Sequence, residues 1–438
     1  MGAELRFLGA AREVGRACIE LRAEGLSLLL DSGVNLGGKG RDRVPLRPAS
    51  NPDALLLTHA HLDHSGYSPV VVREYSCRVY ATLPTRDLSE LLLVDALSHL
   101  EGSPDYSNED VMRLRAVEEP VDVGLEFSIG SIRITPLNAG HVLGSVMYLI
   151  ELPDGPRVLY TGDVNTANSR TLRGANLSGV EADYLIIEST YGGDGDVHPS
   201  RKKIERKFIS DIRTVLKSGG KVIIPTFALG RAQEVILTLI SYLDSGLLPE
   251  VPIFVDGMIR EVNRLYSLYW TWLRPELQRK VRASRRNPFE HKMVEEVKSR
   301  EEILEIQEPY IIVTTSGMLQ GGPVLCYLEG LAGDSSNLIY LTGYQVPGTR
   351  GRALLEGIRV LEIGEGRKIS VRARVEFADF SAHADQNGLL SLIYRVSGLR
   401  EVLLFHGEKE KMDDLRRKVE RRGLMAYAPR LGERLILR

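Results

Sequence analysis

The sequence predicts an α/β protein in which a layered, strand-rich domain is interrupted by a second domain built on a parallel sheet. Three observations predict it. In the first part of the chain, short apolar or alternating runs are joined by glycine turns, the pattern of sheet strands. From about residue 200 the rhythm becomes a strict alternation of helix and strand, which requires crossover helices and hence a parallel, doubly wound sheet. After about residue 370 the strand-rich style returns.

Residues 5–8, 17–21 and 27–30 read as the opening strands, punctuated by Gly15 and Gly25. Residues 54–57 form a further short apolar strand, and helical patterns follow at 85–100 and 108–115. Strands continue at 132–136, 146–152, 157–160 and 184–187. In the second segment, 202–216 is amphipathic at helical spacing, 222–224 is a strand and 231–242 a helix. Residues 253–255, 310–313 and 338–341 are buried strands with helical stretches between them. The last strands are 402–405 and 435–437.

At 438 residues, with 43% hydrophobic and 26% charged, the chain is long and apolar enough for two or three separate cores, which excludes disorder as its theme. Its longest apolar runs, such as 91–94, are far too short to span a membrane, and no basic-then-apolar leader opens it. Gly2 follows the initiator Met, but Arg6 stands where myristoylation needs Ser or Thr. The net charge of −2 provides no global field for a polyanion, so any such binding must come from a local site. Cys18, Cys77 and Cys326 form no C-x-x-C pair. That excludes a disulfide framework and a thiolate zinc knuckle and fits a reducing cytoplasm; the three read as small buried hydrophobes.

The chemistry is concentrated in Thr58-His59-Ala60-His61-Leu62-Asp63-His64, directly after the 54–57 strand. In an extended loop the side chains of residues i and i+2 point the same way, so His59 and His61 can grip one cation. Asp63 and His64 follow as the chain turns and can face a second cation beside the first. Neutral imidazole with carboxylate is a zinc-type donor set. Two metals need more ligands than this loop holds. His141 lies in a glycine-bounded turn, Asp163 closes the 157–160 strand, and His406 ends the 402–405 strand. Each lies beside a glycine that permits close backbone approach. His99, His198 and His291 read as structural or surface residues.

His59-x-His61-x-Asp63-His64, His141, Asp163 and the upstream Asp31 in Leu30-Asp31-Ser32-Gly33 resemble the metallo-β-lactamase superfamily. Glu188-Ser189-Thr190-Tyr191, Phe380-Ser381-Ala382-His383-Ala384-Asp385 and Phe405-His406-Gly407 resemble the three extra motifs of its β-CASP nuclease branch. Within that branch, Gly140-His141-Val142-Leu143-Gly144 and Ala60-His61-Leu62-Asp63-His64 are most similar to the endonuclease subunit of the cleavage and polyadenylation specificity factor and its archaeal relatives.

The resemblance implies a four-layer αββα domain, residues 1–195 and 375–438, interrupted by a β-CASP domain at 196–374. It implies two zinc ions with a bridging hydroxide: His59, His61 and His141 on the first, Asp63, His64 and His406 on the second, Asp163 between them. Asp31 would orient the ligand loop from behind. Two zinc ions carry four positive charges, of which Asp63, Asp163 and hydroxide return three, so a polyanion is drawn to this spot. Metals about 3.5–4 Å apart can activate water and clamp a phosphate oxygen. His383, hydrogen-bonded to Glu188, would protonate the leaving 3′ oxygen as general acid, giving a 5′-phosphate and a 3′-hydroxyl.

For substrate contacts, Ser316 and Gly317 follow the 310–313 strand and are expected to precede a helix, where backbone N–H groups meet phosphate. Arg231 holds an equivalent place after the 222–224 strand, and Arg350 and Arg352 add cations. The clusters at 282–286 and 416–422 read as solvated faces. The implied activity is a zinc-dependent ribonuclease, endonucleolytic with a 5′-to-3′ exonuclease mode, in mRNA 3′-end processing, maturation or decay. Its partner would be single-stranded RNA, acting as a homodimer or in an RNA-processing complex in the cytoplasm. Histidine at position 406 matches the RNA-cutting members. The alternatives are a DNA nuclease of the same superfamily and a non-catalytic RNA-binding scaffold subunit. A small-molecule hydrolase would not need the inserted domain or the Glu188–His383 pair. Because the first strand is expected by Leu5, the KH-type RNA-binding modules that precede some archaeal relatives are not expected here.

Overall fold

The computed structural model describes residues 3–99, 105–346, 348–364 and 366–438. The reading at Gly2 and the last residue of the helix expected at 85–100 lie outside them. Two compact units are formed. The first comprises residues up to Asn168, Leu172–Val197 and Ala382–Arg438; the second comprises Ser169–Thr171 and His198–Ser381.

The first segment runs β1 (Ala3–Phe7), β2 (Ile19–Ala23), β3 (Leu26–Leu30) and β4 (Ala54–Leu56), then α1 (Leu62–Ser65) and α2 (Ser68–Tyr75). It continues through β5 (Arg78–Ala81), α3 (Leu83–His99), α4 (Asn108–Val117), β6 (Glu118–Pro120), β7 (Phe127–Ile129) and β8 (Ile132–Asn138). β9 (Val146–Glu151), β10 (Arg157–Tyr160) and β11 (Tyr184–Glu188) complete it. The second segment begins with α5 (Arg201–Lys217), β12 (Val222–Pro225), α6 (Arg231–Asp244) and β13 (Ile253–Asp256). α7 (Ile259–Leu268), α8 (Pro275–Ser284), β14 (Val294–Glu296), α9 (Arg300–Glu305), β15 (Ile311–Thr314) and α10 (Val324–Leu331) follow. It ends with β16 (Leu338–Leu341), α11 (Arg350–Leu355), β17 (Val360–Ile363), β18 (Arg367–Ser370) and β19 (Arg374–Phe377). The final segment holds α12 (Gln386–Ile393), β20 (Glu401–Phe405), α13 (Lys409–Glu420), β21 (Met425–Tyr427) and β22 (Arg434–Leu437).

In the first unit, strand alternation divides side chains between three cores. β4 turns Ala54 and Leu56 one way and Leu55 the other; β10 turns Val158 and Tyr160 one way and Leu159 the other. Two seven-stranded sheets result, ordered β22-β1-β2-β3-β4-β5-β6 and β21-β20-β11-β10-β9-β8-β7. Their inner faces share a core that includes Leu5, Leu28 and Leu56 from one and Tyr148, Tyr160, Ile186 and Phe405 from the other. The outer face of the first sheet is covered by α2, α3 and α4 through Val71, Leu93 and Leu114. The outer face of the second is covered by α12 and α13 through Leu389, Leu392, Met412 and Leu415. This is the four-layer αββα order.

Register then decides where the loops emerge. β3 and β4 are parallel, with Leu30 opposite Leu56, so Asp31 and the Thr58–His64 loop leave the sheet at one end. β10, β11 and β20 are also parallel, with Tyr160 opposite Ile186 and Glu188 opposite Phe405. β9 runs antiparallel to β10, so the β8–β9 turn that carries His141 sits at that same end.

In the second unit a parallel six-stranded sheet, β14-β13-β15-β12-β16-β19, has helices on both faces. Val324, Leu328 and Leu354 of α10 and α11 pack on Ile223, Ile312 and Ile339. On the other side Phe208 of α5 meets the Tyr340 ring edge-on at 4.7 Å. β19 pairs with β16 in parallel, so residues 374–377 form the edge of this sheet rather than beginning the return to the first domain. Val371, Ala373, Val375 and Phe377 alternate with charged residues as a strand should, but that pattern does not say which sheet the strand joins; Arg374 pairs with Glu376 and Asp211. Cys18 and Cys77 are buried, whereas Cys326 is only half-buried. No described helix is long and apolar enough to cross a membrane.

Candidate metal centre

All of the centre's side chains belong to the first unit. His59 and His61 leave β4 on extended chain, and the single turn of α1 then presents Asp63 and His64. Gly33, after β3, lies so close to this loop that a Cβ would stand 1.7 Å from the Asp63 carbonyl oxygen, which is why the position excludes a side chain. In the β8–β9 turn, the Ser145 hydroxyl accepts the N–H groups of His141 and Val142 and shapes the approach of His141.

Asp163 lies at the middle. Its Oδ1 is 3.3 Å from both His64 Nε2 and His406 Nδ1, and its Oδ2 is 3.6 Å from both His59 Nε2 and His141 Nε2. His61 Nδ1 is 3.0 Å from His141 Nε2, and Asp63 Oδ2 is 3.5 Å from His406 Nε2. One group of donors is therefore His59, His61, His141 and Asp163. Others are His64, Asp163 and His406, and His59, Asp63 and His64. His59 Nε2, His64 Nε2 and Asp163 Oδ1 are buried with no hydrogen-bond partner among the described residues. Unpaired polar atoms in a dry interior are costly, and a cation among them removes that cost. The donor set, imidazole nitrogen and carboxylate oxygen, suits zinc.

A layer behind the ligands aims them. Buried Asp31, held in a left-handed conformation (φ 58°), accepts the Thr58 N–H at 2.7 Å and the Tyr160 hydroxyl at 2.7 Å. It lies 2.7 Å from His64 Nδ1, and the Ala382 carbonyl lies 2.9 Å from His141 Nδ1. In both rings a proton on Nδ1 leaves Nε2 free to bind a metal. His383 places Nδ1 at 2.9 and 3.0 Å from the two Glu188 oxygens, and its Nε2 is 3.9 Å from Asp163 Oδ2. Glu188 is wholly buried and also accepts the Val164 N–H. The His383 side chain is 18% exposed, against 0–2% for His59, His64, His141, Asp163 and His406, so it is turned toward solvent.

Electrostatics follow from burial and proximity. Burial pushes His59, His61 and His141 below the usual imidazole range, which keeps them neutral as metal ligands must be. His64 moves the other way: burial opposes its charge, but Asp163 and Asp31 outweigh burial and hold the ring above the usual imidazole range. For Asp63 and Asp163 burial works to raise the carboxyl. The imidazoles around them, His406 and His64 above all, prevail and hold both below the ordinary range.

The proposed RNA contacts lie in the second unit, after β12, β15 and β16. Gly317 abuts the Thr226–Phe227 backbone, Gln345 Nε2 donates to the Gly317 carbonyl, and Gly351 N–H donates to the Met318 carbonyl. The expected helix follows as α10, but it starts only at Val324; before it Ser316 opens a tight turn to Leu319 and Gln320. Arg231 starts α6 but is 9% exposed, with its guanidinium 3.5 Å from Asp379. Arg350 donates to the carbonyls of Leu319, Gln320 and Glu362, and Arg352 pairs with Glu356. These guanidinium groups are engaged in holding their own loops and helices.

The sequence reading missed the β1–β2 loop. There Ala10 O accepts the His406 N–H, Glu13 O accepts the Gly407 N–H, and the Gly15 N–H donates to His406 Nε2 at 3.1 Å. Backbone groups leave no signature in side-chain identity. It also missed Tyr160, for which a signal existed: a phenol on an inward-facing strand position must find a partner.

Three family models match the chain: a metallo-beta-lactamase superfamily domain over residues 20–189, a Beta-Casp domain over 232–354, and a Zn-dependent metallo-hydrolase RNA specificity domain over 368–429. The chain is 39% identical over 407 residues to the RNase J-like protein of Methanocaldococcus jannaschii, covering 92% of each. It is 37% identical to transcription termination factor FttA of Methanothermobacter thermautotrophicus, covering 96% of this chain and 69% of that one. With FttA of Pyrococcus abyssi the identity is 35%, covering 96% and 69%. A solved protein of unknown function from Enterococcus faecalis shares the fold, with a TM-score of 0.62 at 14% identity over the whole of both chains.

Proposed function

This chain belongs to the metallo-β-lactamase superfamily, in its β-CASP branch, and from that membership we propose a zinc-dependent ribonuclease that hydrolyses RNA phosphodiesters in RNA processing, decay or transcription termination. One observation carries the proposal. The two oxygens of Asp163 face two separate sets of imidazoles, with bare ring nitrogens and a bare carboxylate oxygen between them.

We assign His59, His61 and His141 to one zinc, Asp63, His64 and His406 to a second, and Asp163 to both. Bound there, the ions supply Lewis-acid activation of water and neutralise charge on the phosphate. The chain's own residues do the rest. Glu188 accepts the His383 Nδ1–H, so a second proton on that ring sits on Nε2, the atom that faces the centre. That proton goes to the leaving 3′ oxygen, which leaves a 3′-hydroxyl and a 5′-phosphate. Asp31 holds His64 in place through its Nδ1.

Single-stranded RNA is the proposed substrate, supported by the matched RNA specificity domain and by the RNase J-like relative. Cleavage is proposed to be mainly endonucleolytic with a 5′-to-3′ exonuclease mode, by a homodimer or within an RNA-processing complex. The free cysteines fit a reducing compartment such as the cytoplasm. The test is incubation of the zinc-loaded protein with matched single-stranded RNA and DNA labelled at either end. Internal cuts in RNA that bear 5′-phosphates and cease on chelation are expected. Binding of RNA without cleavage would instead favour a scaffold, and cleavage of DNA alone a DNA nuclease.

A further inference from the structure

Asp31 is more than a prop for one histidine. An ionised carboxylate can only accept hydrogen bonds, so every group around it must donate. Oδ1 accepts the Thr58 N–H at 2.7 Å, while Oδ2 takes the Thr58 hydroxyl at 2.8 Å, the Tyr160 hydroxyl at 2.7 Å and His64 Nδ1 at 2.7 Å. Thr58 has a single hydroxyl proton, and it points at Asp31. Its oxygen can then only accept from His59 Nδ1, which lies 3.0 Å away. That places the His59 proton on Nδ1 and the lone pair on Nε2, 3.6 Å from Asp163 Oδ2.

We propose that Thr58 is a positioning residue that fixes the tautomer of His59, so that one carboxylate, Asp31, aims a ligand into each ion site: His64 directly and His59 through the Thr58 hydroxyl. This rests on the two-ion assignment above. The packing is built for it. Gly162, at φ 52° immediately before Asp163, would with a Cβ approach Thr58 Oγ1 to 2.5 Å, so only glycine leaves the hydroxyl its place. Thr58 and Tyr160 are both fully shielded from solvent, so water does not replace a lost partner.

Valine has the shape of threonine without the hydroxyl. In Thr58→Val the His59 Nδ1–H would lose its acceptor, and the proton would move to Nε2. There it would face Asp163 Oδ2, 3.6 Å away, and occupy the lone pair the ion needs. The His64–Asp31 contact and the Thr58 N–H would remain. Loss is therefore confined to one of two sites.

The test is zinc titration of the full chain against a competing chelator, with cobalt(II) absorption reporting each site. In Thr58→Val one site is expected to weaken about 10–100-fold, the usual effect of removing a ligand's outer partner, while the other keeps its affinity. Thr58→Ser should restore both. Unchanged affinity at both sites, equal loss at both, or failure of serine to rescue would overturn the proposal. Nitrogen-15 spectra of the metal-free wild type give a check that needs no variant: His59 must carry its proton on Nδ1, and a proton on Nε2 would overturn it as well. If the wild type takes up one ion only, the two-ion assignment fails. The Thr58 comparison is then decided on that ion.

Discussion

Asp163→Asn isolates the charge at the middle of the centre. The amide is nearly isosteric, so the Thr161-Gly162-Asp163 turn is retained, but one oxygen becomes a donor. Wild-type Oδ1 faces His64 and His406, and Oδ2 faces His59 and His141, at 3.3–3.6 Å. An amide can present an oxygen to one pair only; its NH₂ group must face the other, where it binds no cation. The centre also loses one negative charge. At about 4 Å and an effective dielectric of ~20, two unit charges are worth about 4 kcal/mol, and a divalent ion doubles that to about 8 kcal/mol. That is about six decades in ion affinity at 1.4 kcal/mol per decade. The assay is zinc per chain by atomic emission after dialysis against a weak chelator, with single-turnover cleavage of end-labelled RNA beside it. Expected are at least one zinc lost and cleavage reduced beyond detection, with the melting temperature of the chelated proteins compared as a folding control. Wild-type zinc content and affinity in the variant would refute Asp163 as the shared ligand.

His383→Ala should keep its zinc yet slow the chemical step by about 10²–10⁴; an RNA analogue with an activated leaving group should be slowed far less, and equal slowing would dismiss His383 as the acid. Gly33→Ala forces a Cβ to 1.7 Å from the Asp63 carbonyl oxygen. It is expected to reduce bound zinc and lower the melting temperature together, and an unchanged zinc titration would show that the loop yields without cost. Glu118 buries Oε1 without a partner, and burial pushes its carboxyl up to about 8 from an ordinary 4.5, against the pull of Arg115. Below 4.5 both folded and unfolded chains hold this proton; between 4.5 and about 8 only the folded one does, so stability should fall as pH rises across that window. Glu118→Gln should flatten that fall in melting temperature, and a slope equal to the wild type's would remove Glu118 from the account.

Much of the first unit was legible because its strands alternate. Ala54-Leu55-Leu56-Leu57 reads as a strand buried on both faces, and the structure divides it between two cores. Sheet membership was not legible: Val375 and Phe377 alternate with Arg374 and Glu376 as a strand should, but nothing local says that β19 pairs with β16. Arg231 and Arg350 illustrate a similar limit. Their charge is visible in sequence, but their engagement with Asp379 and with loop carbonyls is not.

The sequence alone determined the donor types, the zinc-suited spacing of His59, His61, Asp63 and His64, and the strands that deliver them, because these depend on neighbours a few residues apart. Only the tertiary structure decided that Asp163 would face two imidazole sets, that Gly15 would reach His406 across 391 residues, and that Asp31 would collect Thr58, His64 and Tyr160. The physical reason is strand order and register: which loops emerge side by side is set by hydrogen-bond pairing across sheets, and no local pattern encodes it.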